Sequence, residues 1–390
     1  MKEINDLIVI TEGYPNPENP YRYTFVEQLV QQFSKKGVRV TVINPVFHNY
    51  RQYQHREHWT YDVAGGNSIT VFQPVVINFS MKKIGPLKMM NLSYLSFRRA
   101  VEKVIRNNHL QPDAIYSHFL FPSGCAAAEI GKKFRVPAFC ATGESNLSEI
   151  IHNIGSGFFK AKLNSMQGIV SVSSENKRIL TDNRILEEGS FIVIPNGVDQ
   201  NLFYPHDKTE MRDKYGFPND QVLGAFVGAF SDRKGILRVN AASDKTSIPM
   251  IYIGTGDLQP KGNNIAFCGG VQHHLIPEYL SAADFFVLPT KTEGCCNVIV
   301  EAICCGLPII SSHGEFNDDI LDDTYSIRTD PENIDQIADA MEKLAEDQTL
   351  CKKLSDNAVQ QREKFSLSNR AERILKFISE VADDKSNRIA

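Results

Sequence analysis

Apolar residues at the start of the chain come in short uninterrupted blocks. Leu7-Ile-Val-Ile10 is followed by a polar stretch rich in proline and asparagine, residues 11–23. A block without polar alternation suits a strand buried on both faces, as in a parallel sheet. Residues 24–36 then carry helical periodicity and stop at Gly37, a C-terminal cap signal, before the next strand at 38–43. Strand, loop, helix, glycine and strand make one βαβ unit. The rhythm returns as a helix over 100–107, a strand over 113–116, a helix over 124–134 and strands over 137–141 and 168–172. It predicts a doubly wound sheet that binds ligands beyond the carboxyl ends of its strands.

A second cycle starts after Tyr204-Pro205. It predicts strands at 222–227, 250–253, 265–268, 284–288 and 308–311, helices at 275–281 and 298–305, and helical structure from Asp330 onward. The expectation is therefore an α/β protein of two Rossmann-like, doubly wound parallel-sheet domains facing a cleft, 1–203 and 204–390. The last helix is expected to return to the first domain. A cleft between two such domains is a common ligand site.

Composition narrows the function classes. The chain has 390 residues, 42% of them hydrophobic and 23% charged, which fits a folded multidomain protein and excludes general disorder. A net charge of −4 offers no global basis for nucleic-acid binding. No apolar run reaches the roughly 18 residues of a membrane span, and the block at 7–10 is too short for a signal sequence, so a cytoplasmic location is expected. Eight cysteines without a CxxC pair match no zinc pattern. They read as small buried residues in a reducing compartment, and no metal is expected.

The densest chemistry lies in Pro289-Thr-Lys-Thr-Glu293-Gly294-Cys295-Cys296-Asn297-Val298-Ile-Val-Glu301. A strand ends at Pro289, a loop carries Glu293 and Gly294, and a helix begins near Asn297. Gly294 lets backbone amides approach a ligand, and a helix start offers unpaired N–H groups and partial positive charge to a phosphate. Glu301, about one turn into the helix, can share a face with Glu293 or simply complement the helix dipole.

This segment resembles the Glu-x7-Glu motif of the group 1, or family four, GT-B glycosyltransferases, with Glu293 and Glu301 as the pair. The resemblance extends to the hinge-like Ile194-Pro-Asn196-Gly-Val-Asp, to Gly228-Ala-Phe-Ser-Asp-Arg233-Lys234-Gly235, to Ile253-Gly254-Thr-Gly256 and to Ala282-Ala-Asp284. It implies a hexosyltransferase that moves a sugar from a UDP- or GDP-sugar to a glycan or lipid-linked acceptor, with retention, in cell-surface polysaccharide or glycoconjugate synthesis. Glu301 would hold the donor ribose and Glu293 would lie near the transferred sugar. The backbone of Gly228, Gly254, Gly294, Cys295, Cys296, Asn297 and Val298 would surround the donor. Arg233 and Lys234 would stabilise the leaving diphosphate. Fixed cations suit that role, since charge builds on oxygen as the bond breaks. No cofactor and no metal ion are expected.

The N-terminal half matches the family more loosely. Its first loop, Gly13-Tyr-Pro-Asn-Pro-Glu-Asn-Pro20, lacks the adjacent glycines of the family, and Thr142 stands where the family has a histidine. His118, Thr142, Glu144 and Asn196 are the candidate acceptor or sugar contacts. Lys82, Lys83, Lys88, Arg98, Arg99, Lys103 and Arg106, interleaved with apolar residues, suit either an anionic membrane surface at the inner face or a helix packed on the sheet. Two other readings of the same pattern are a nucleotide-sugar epimerase and a silent sugar-binding relative. A dinucleotide dehydrogenase is disfavoured because no GxGxxG follows the first strand.

Overall fold

Leu7, Ile8, Val9 and Ile10 are all buried in β1 (Asp6–Thr11), as a strand covered on both faces requires. The computed structural model describes residues 3–16, 23–48, 56–79, 83–84, 87–186 and 191–389. Two units result: unit 1, made of Met1–Ile194 and Arg370–Ala390, and unit 2, Pro195–Asn369. The chain leaves unit 1 earlier than the expected boundary after residue 203, and Ile194 still donates its N–H to the Ser171 carbonyl as an extension of the first sheet.

Unit 1 is built on β1, β2 (Arg39–Ile43), β3 (His58–Tyr61), β4 (Ile69–Phe72), β5 (Ala114–His118), β6 (Ala138–Thr142), β7 (Gly168–Ser171) and β8 (Phe191–Val193). Their order is β8-β7-β6-β5-β1-β2-β4-β3, parallel except where β3 pairs with β4. Helix α1 (Thr24–Lys35) buries Val26, Leu29, Val30 and Phe33 at helical spacing, and Gly37 follows it at φ +90°. Helix α2 (Met89–Asn107) begins well before the expected Ala100. Met90, Tyr94, Phe97, Val101 and Ile105 form its continuous apolar stripe. Four further helices are α3 (Cys125–Phe134), α4 (Leu147–Ile154), α5 (Ser156–Leu163) and α6 (Ser174–Asp182).

Unit 2 carries helix α7 (Lys208–Tyr215) and then a six-stranded all-parallel sheet. Its strands are β9 (Gly224–Val227), β10 (Met250–Ile253), β11 (Ile265–Gly269), β12 (Phe285–Leu288), β13 (Ile309–Ser312) and β14 (Ser326–Thr329), in the order β11-β10-β9-β12-β13-β14. Helices α8 (Ile236–Thr246), α9 (Ile276–Ala282), α10 (Asn297–Cys304), α11 (Ile334–Glu346) and α12 (Gln348–Gln360) cover it. Both predicted sheets are present, and the order of strands reverses beside β1 in one and beside β9 in the other. Those are the switch points at which open α/β sheets take ligands.

The last helix, α13 (Leu367–Ile389), enters unit 1 at Arg370. Ala371, Ile374, Phe377 and Ile378 join Leu7, Val9, Phe33, Tyr116 and Phe139 in one core. Buried Arg370 donates to the carbonyl of Ile194. No described helix is long and apolar enough to cross a membrane. All eight cysteines are free thiols, mostly buried, but Cys268 is exposed, contrary to the expectation that all are packed inside.

Candidate active site

The loops that follow β9 and β12 meet at the switch point of unit 2. Gly228, directly after β9, donates its N–H to the last residue of β10, Ile253, at 2.9 Å. Gly254 lies so close that a Cβ on it would stand 1.9 Å from the Gly228 carbonyl oxygen, and its φ of +150° is itself unfavourable for a side chain. Gly235 (φ +81°) then turns the chain into α8, where a Cβ would strike Pro289 at 2.8 Å. These contacts explain the glycine punctuation of this half of the chain.

Three donors converge on one oxygen of Glu293. Its Oε1 accepts from Arg233 Nη1 at 2.5 Å and Thr290 Oγ1 at 2.9 Å, and Lys234 Nζ lies at 2.6 Å. Glu293 is 7% exposed and the Lys234 side chain 12%, whereas the Arg233 side chain is 40% exposed. Arg233 also donates to the carbonyl of Thr292 at 2.9 Å, and its own carbonyl accepts from Lys291 N–H, so the two loops are tied together. The Lys234 stem lies under Gly228, and its ammonium is 3.9 Å from Cys296 Sγ. Burial pushes the Cys296 thiol up to about 12, against the opposing pull of Lys234. That sulfur is therefore a neutral wall of the site.

Helix α10 opens at Asn297 without a side-chain cap. The N–H groups of Ile299 and Val300 return to the Cys296 carbonyl. Asn297 and Val298, the first two residues of the helix, are half-buried, and Gly294 is buried in the loop before it. An uncapped start beside Lys234 can receive an anion. Asn196 Nδ2 donates to Asn297 Oδ1 at 2.8 Å, and Asn196 N–H points to Cys295 Sγ at 3.4 Å. Asn196 thus lies beside the start of α10 in unit 2.

Glu301, 7% exposed, has a different partner from Glu293: His273 Nε2 lies 3.2 Å from its Oε1. The hydrogen bond to Glu301 raises the His273 pKa above its ordinary value. Sequence reasoning missed His273, Thr290 and Arg238. Arg238 is buried on α8 and holds Asp232 Oδ1, the Asp232 carbonyl and the Pro289 carbonyl at 2.9–3.2 Å, bracing both loops. Thr290 adjoins Pro289 in the motif, and His273 follows the carboxyl end of β11. Position at a strand end was the available signal for both.

In unit 1, His118 ends β5 and Thr142 ends β6, neighbouring strands at the carboxyl edge. His118 is packed among Phe25, Tyr116 and Phe119, and burial, helped by Arg370, drives its pKa down to about 3. Its Nε2 has no hydrogen-bond partner among the described residues. Thr142 is buried against Ser171 Oγ at 3.3 Å. Glu144 accepts the N–H groups of Leu120 (2.7 Å) and Gly143 (2.9 Å), and burial raises its pKa despite those bonds. Its carboxylate braces a turn. Residues 17–22 of the first loop, Lys82 and the side chains of Lys83 and Lys88 lie outside the described residues. The described part of the basic segment is α2, which packs its apolar stripe inward. Arg98 pairs with Glu129 at 3.1 Å, and Arg106 and Lys133 both pair with Glu102. Among the described residues no cluster of three or more His, Cys, Asp or Glu side chains could hold a metal ion.

Comparison with known proteins identifies the family and the fold. The family model for glycosyl transferases group 1 matches residues 207–361, and that for glycosyltransferase family 4 matches residues 24–202. TuaC of Bacillus subtilis, named for a glycosyltransferase of teichuronic acid biosynthesis, is 30% identical over 322 residues, covering 78% of this chain and 80% of TuaC. Sucrose-phosphate synthase from Thermosynechococcus elongatus superposes with a TM-score of 0.76 over 97% of this chain and 99% of its own, at 17% identity. Anabaena HepE in complex with UDP superposes with a TM-score of 0.71 over 97% and 100%, also at 17% identity. The structural likenesses show the fold, and the matches in sequence show the family: this chain belongs to the group 1 glycosyltransferases of GT-B fold and is a glycosyltransferase.

Proposed function

We propose that unit 2 binds a UDP- or GDP-sugar and that the sugar passes, with retention, to a glycan or lipid-linked acceptor during assembly of a cell-surface polysaccharide. The observation that carries the donor site is the convergence of Arg233, Lys234 and Thr290 on Glu293 beside the uncapped start of α10. Two cations and one carboxylate leave a net positive charge where a diphosphate would lie. As the bond from the sugar to the diphosphate breaks, its electron pair moves onto a phosphate oxygen. Arg233, Lys234 and the helix start would neutralise that charge without rearrangement, so no metal ion is needed. Glu293, anchored at Oε1, would direct its other oxygen to the transferred sugar, and Glu301 would accept the ribose hydroxyls. UDP bound to HepE and the polysaccharide named for TuaC support the donor and acceptor classes. His118, Thr142 and Glu144 would shape the acceptor side in unit 1.

A thermal-shift screen of nucleotide sugars tests the donor site. A ligand at a hundred times its dissociation constant stabilises by ~2.7 kcal/mol. A UDP- or GDP-sugar should raise the melting temperature of the wild type, and less so that of Glu301→Ala. Equal shifts for both proteins would remove Glu301 from the donor site.

A further inference from the structure

Glu301 is a buried carboxylate with one hydrogen-bond partner among the described residues, and that partner comes from another element. His273 opens the short helical turn His273–Leu275 ahead of α9, and its Nε2 meets Glu301 Oε1 at 3.2 Å. The imidazole is 54% exposed. Its ring stands edge-on to buried Phe203, with centroids 5.3 Å apart. The ring is thus held on two sides, by a packing contact and by a polar one. Beside Glu301, burial raises the pKa of the Cys304 and Cys305 thiols, which stay neutral, and His274 is exposed on the same turn as His273.

We infer that His273 is the positioning residue that makes Glu301 selective for a nucleotide with an intact ribose diol, an inference that rests on the proposed contact between Glu301 and the ribose. A vicinal diol offers two O–H donors at fixed spacing, so it needs both carboxylate oxygens turned toward it at once. An N–H donated to Oε1 locks the carboxylate torsion and leaves Oε2 and a lone pair on Oε1 for the sugar. Without that bond the carboxylate rotates freely, and the pairing with two O–H groups at fixed spacing is lost.

The test measures affinity by calorimetry for UDP and for 2′,3′-dideoxy-UDP, or for the guanine pair if the wild type prefers GDP. It uses the full-length wild type, His273→Phe and His273→Gln. The phenylalanine keeps a ring against Phe203 and removes the donor, and the glutamine restores an N–H. The wild type should prefer the ribose form by about tenfold or more, as bonds to a charged group predict. His273→Phe should reduce that preference by about fivefold, with unchanged affinity for the dideoxy form, and His273→Gln should recover most of it. In turnover, the donor KM should rise while kcat stays within about twofold, because the proposed contact is with the ribose and not with the bond that breaks. Equal preference in the wild type and His273→Phe would overturn the role of His273 while leaving Glu301 on the ribose. A wild type that binds both ligands equally would overturn the ribose contact itself, and the role of His273 with it.

Discussion

Replacing Lys234 by methionine keeps the aliphatic stem under Gly228 and removes the ammonium 2.6 Å from Glu293 Oε1. Removing one partner of a buried pair typically costs 3–5 kcal/mol, because the remaining charge is stranded. Here Arg233 and Thr290 still hold Glu293, although the Arg233 side chain is 40% exposed and its attraction is weakened by solvent. The expected cost of Lys234→Met is therefore about 2–3 kcal/mol. Glu293→Gln should cost a similar amount, since it leaves Lys234, 12% exposed, without its carboxylate. In the double variant neither charge is stranded, so its cost should fall short of the sum by about 1–3 kcal/mol. Urea denaturation of the four proteins measures this coupling. The single tryptophan, Trp59, lies in unit 1, so unit 2 must be followed by circular dichroism. Costs that add to within about 0.5 kcal/mol would refute the buried pairing.

Three further outcomes follow from other parts of the molecule. His118 is held at a pKa of about 3, below the ordinary 6.5, so its contribution to stability is complete above pH 6.5 and is lost as pH falls toward 3. Relative to His118→Phe, the wild type should lose about 1.4 kcal/mol per pH unit over that window, read by Trp59 fluorescence in urea; parallel pH profiles would contradict it. Gly254→Ala should destabilise unit 2 by about 3 kcal/mol or more, because strain at a positive φ adds to a Cβ that meets the Gly228 oxygen at 1.9 Å; an unchanged urea midpoint would show that the loop yields. If α2 meets anionic lipid, flotation with phosphatidylglycerol vesicles should fade with salt and vanish when exposed Arg99, Lys103 and Lys133 become Glu, whereas flotation that survives both would exclude this face.

Strands buried on both faces were readable because they leave continuous apolar runs, such as Leu7 to Ile10 and Phe285 to Leu288. The candidate donor site was readable for a related reason: its charged residues lie in two contiguous segments, 228–235 and 289–301. The start of α2 was not, since Asn91, Ser93 and Ser96 dilute the apolar signal over its first turns, and Ser93 takes its buried position while bonding to the backbone of Phe79. Pairings between distant positions were equally silent. Glu301 meets His273 across 28 residues, and Arg238 reaches Pro289 across 51. Nothing local shows that Asn196 bonds to the start of α10.

The most direct test of the donor site is the rate of nucleoside diphosphate release from a UDP- or GDP-sugar, with acceptor and EDTA present, by the wild type and Lys234→Ala. A lost charge partner for a developing oxyanion typically lowers the rate ~10²–10³-fold. The account predicts that the wild type turns over in EDTA and that Lys234→Ala, still folded by circular dichroism, falls by at least that factor. Near-normal release by Lys234→Ala, or a wild type stopped by EDTA and restored by magnesium, would contradict it.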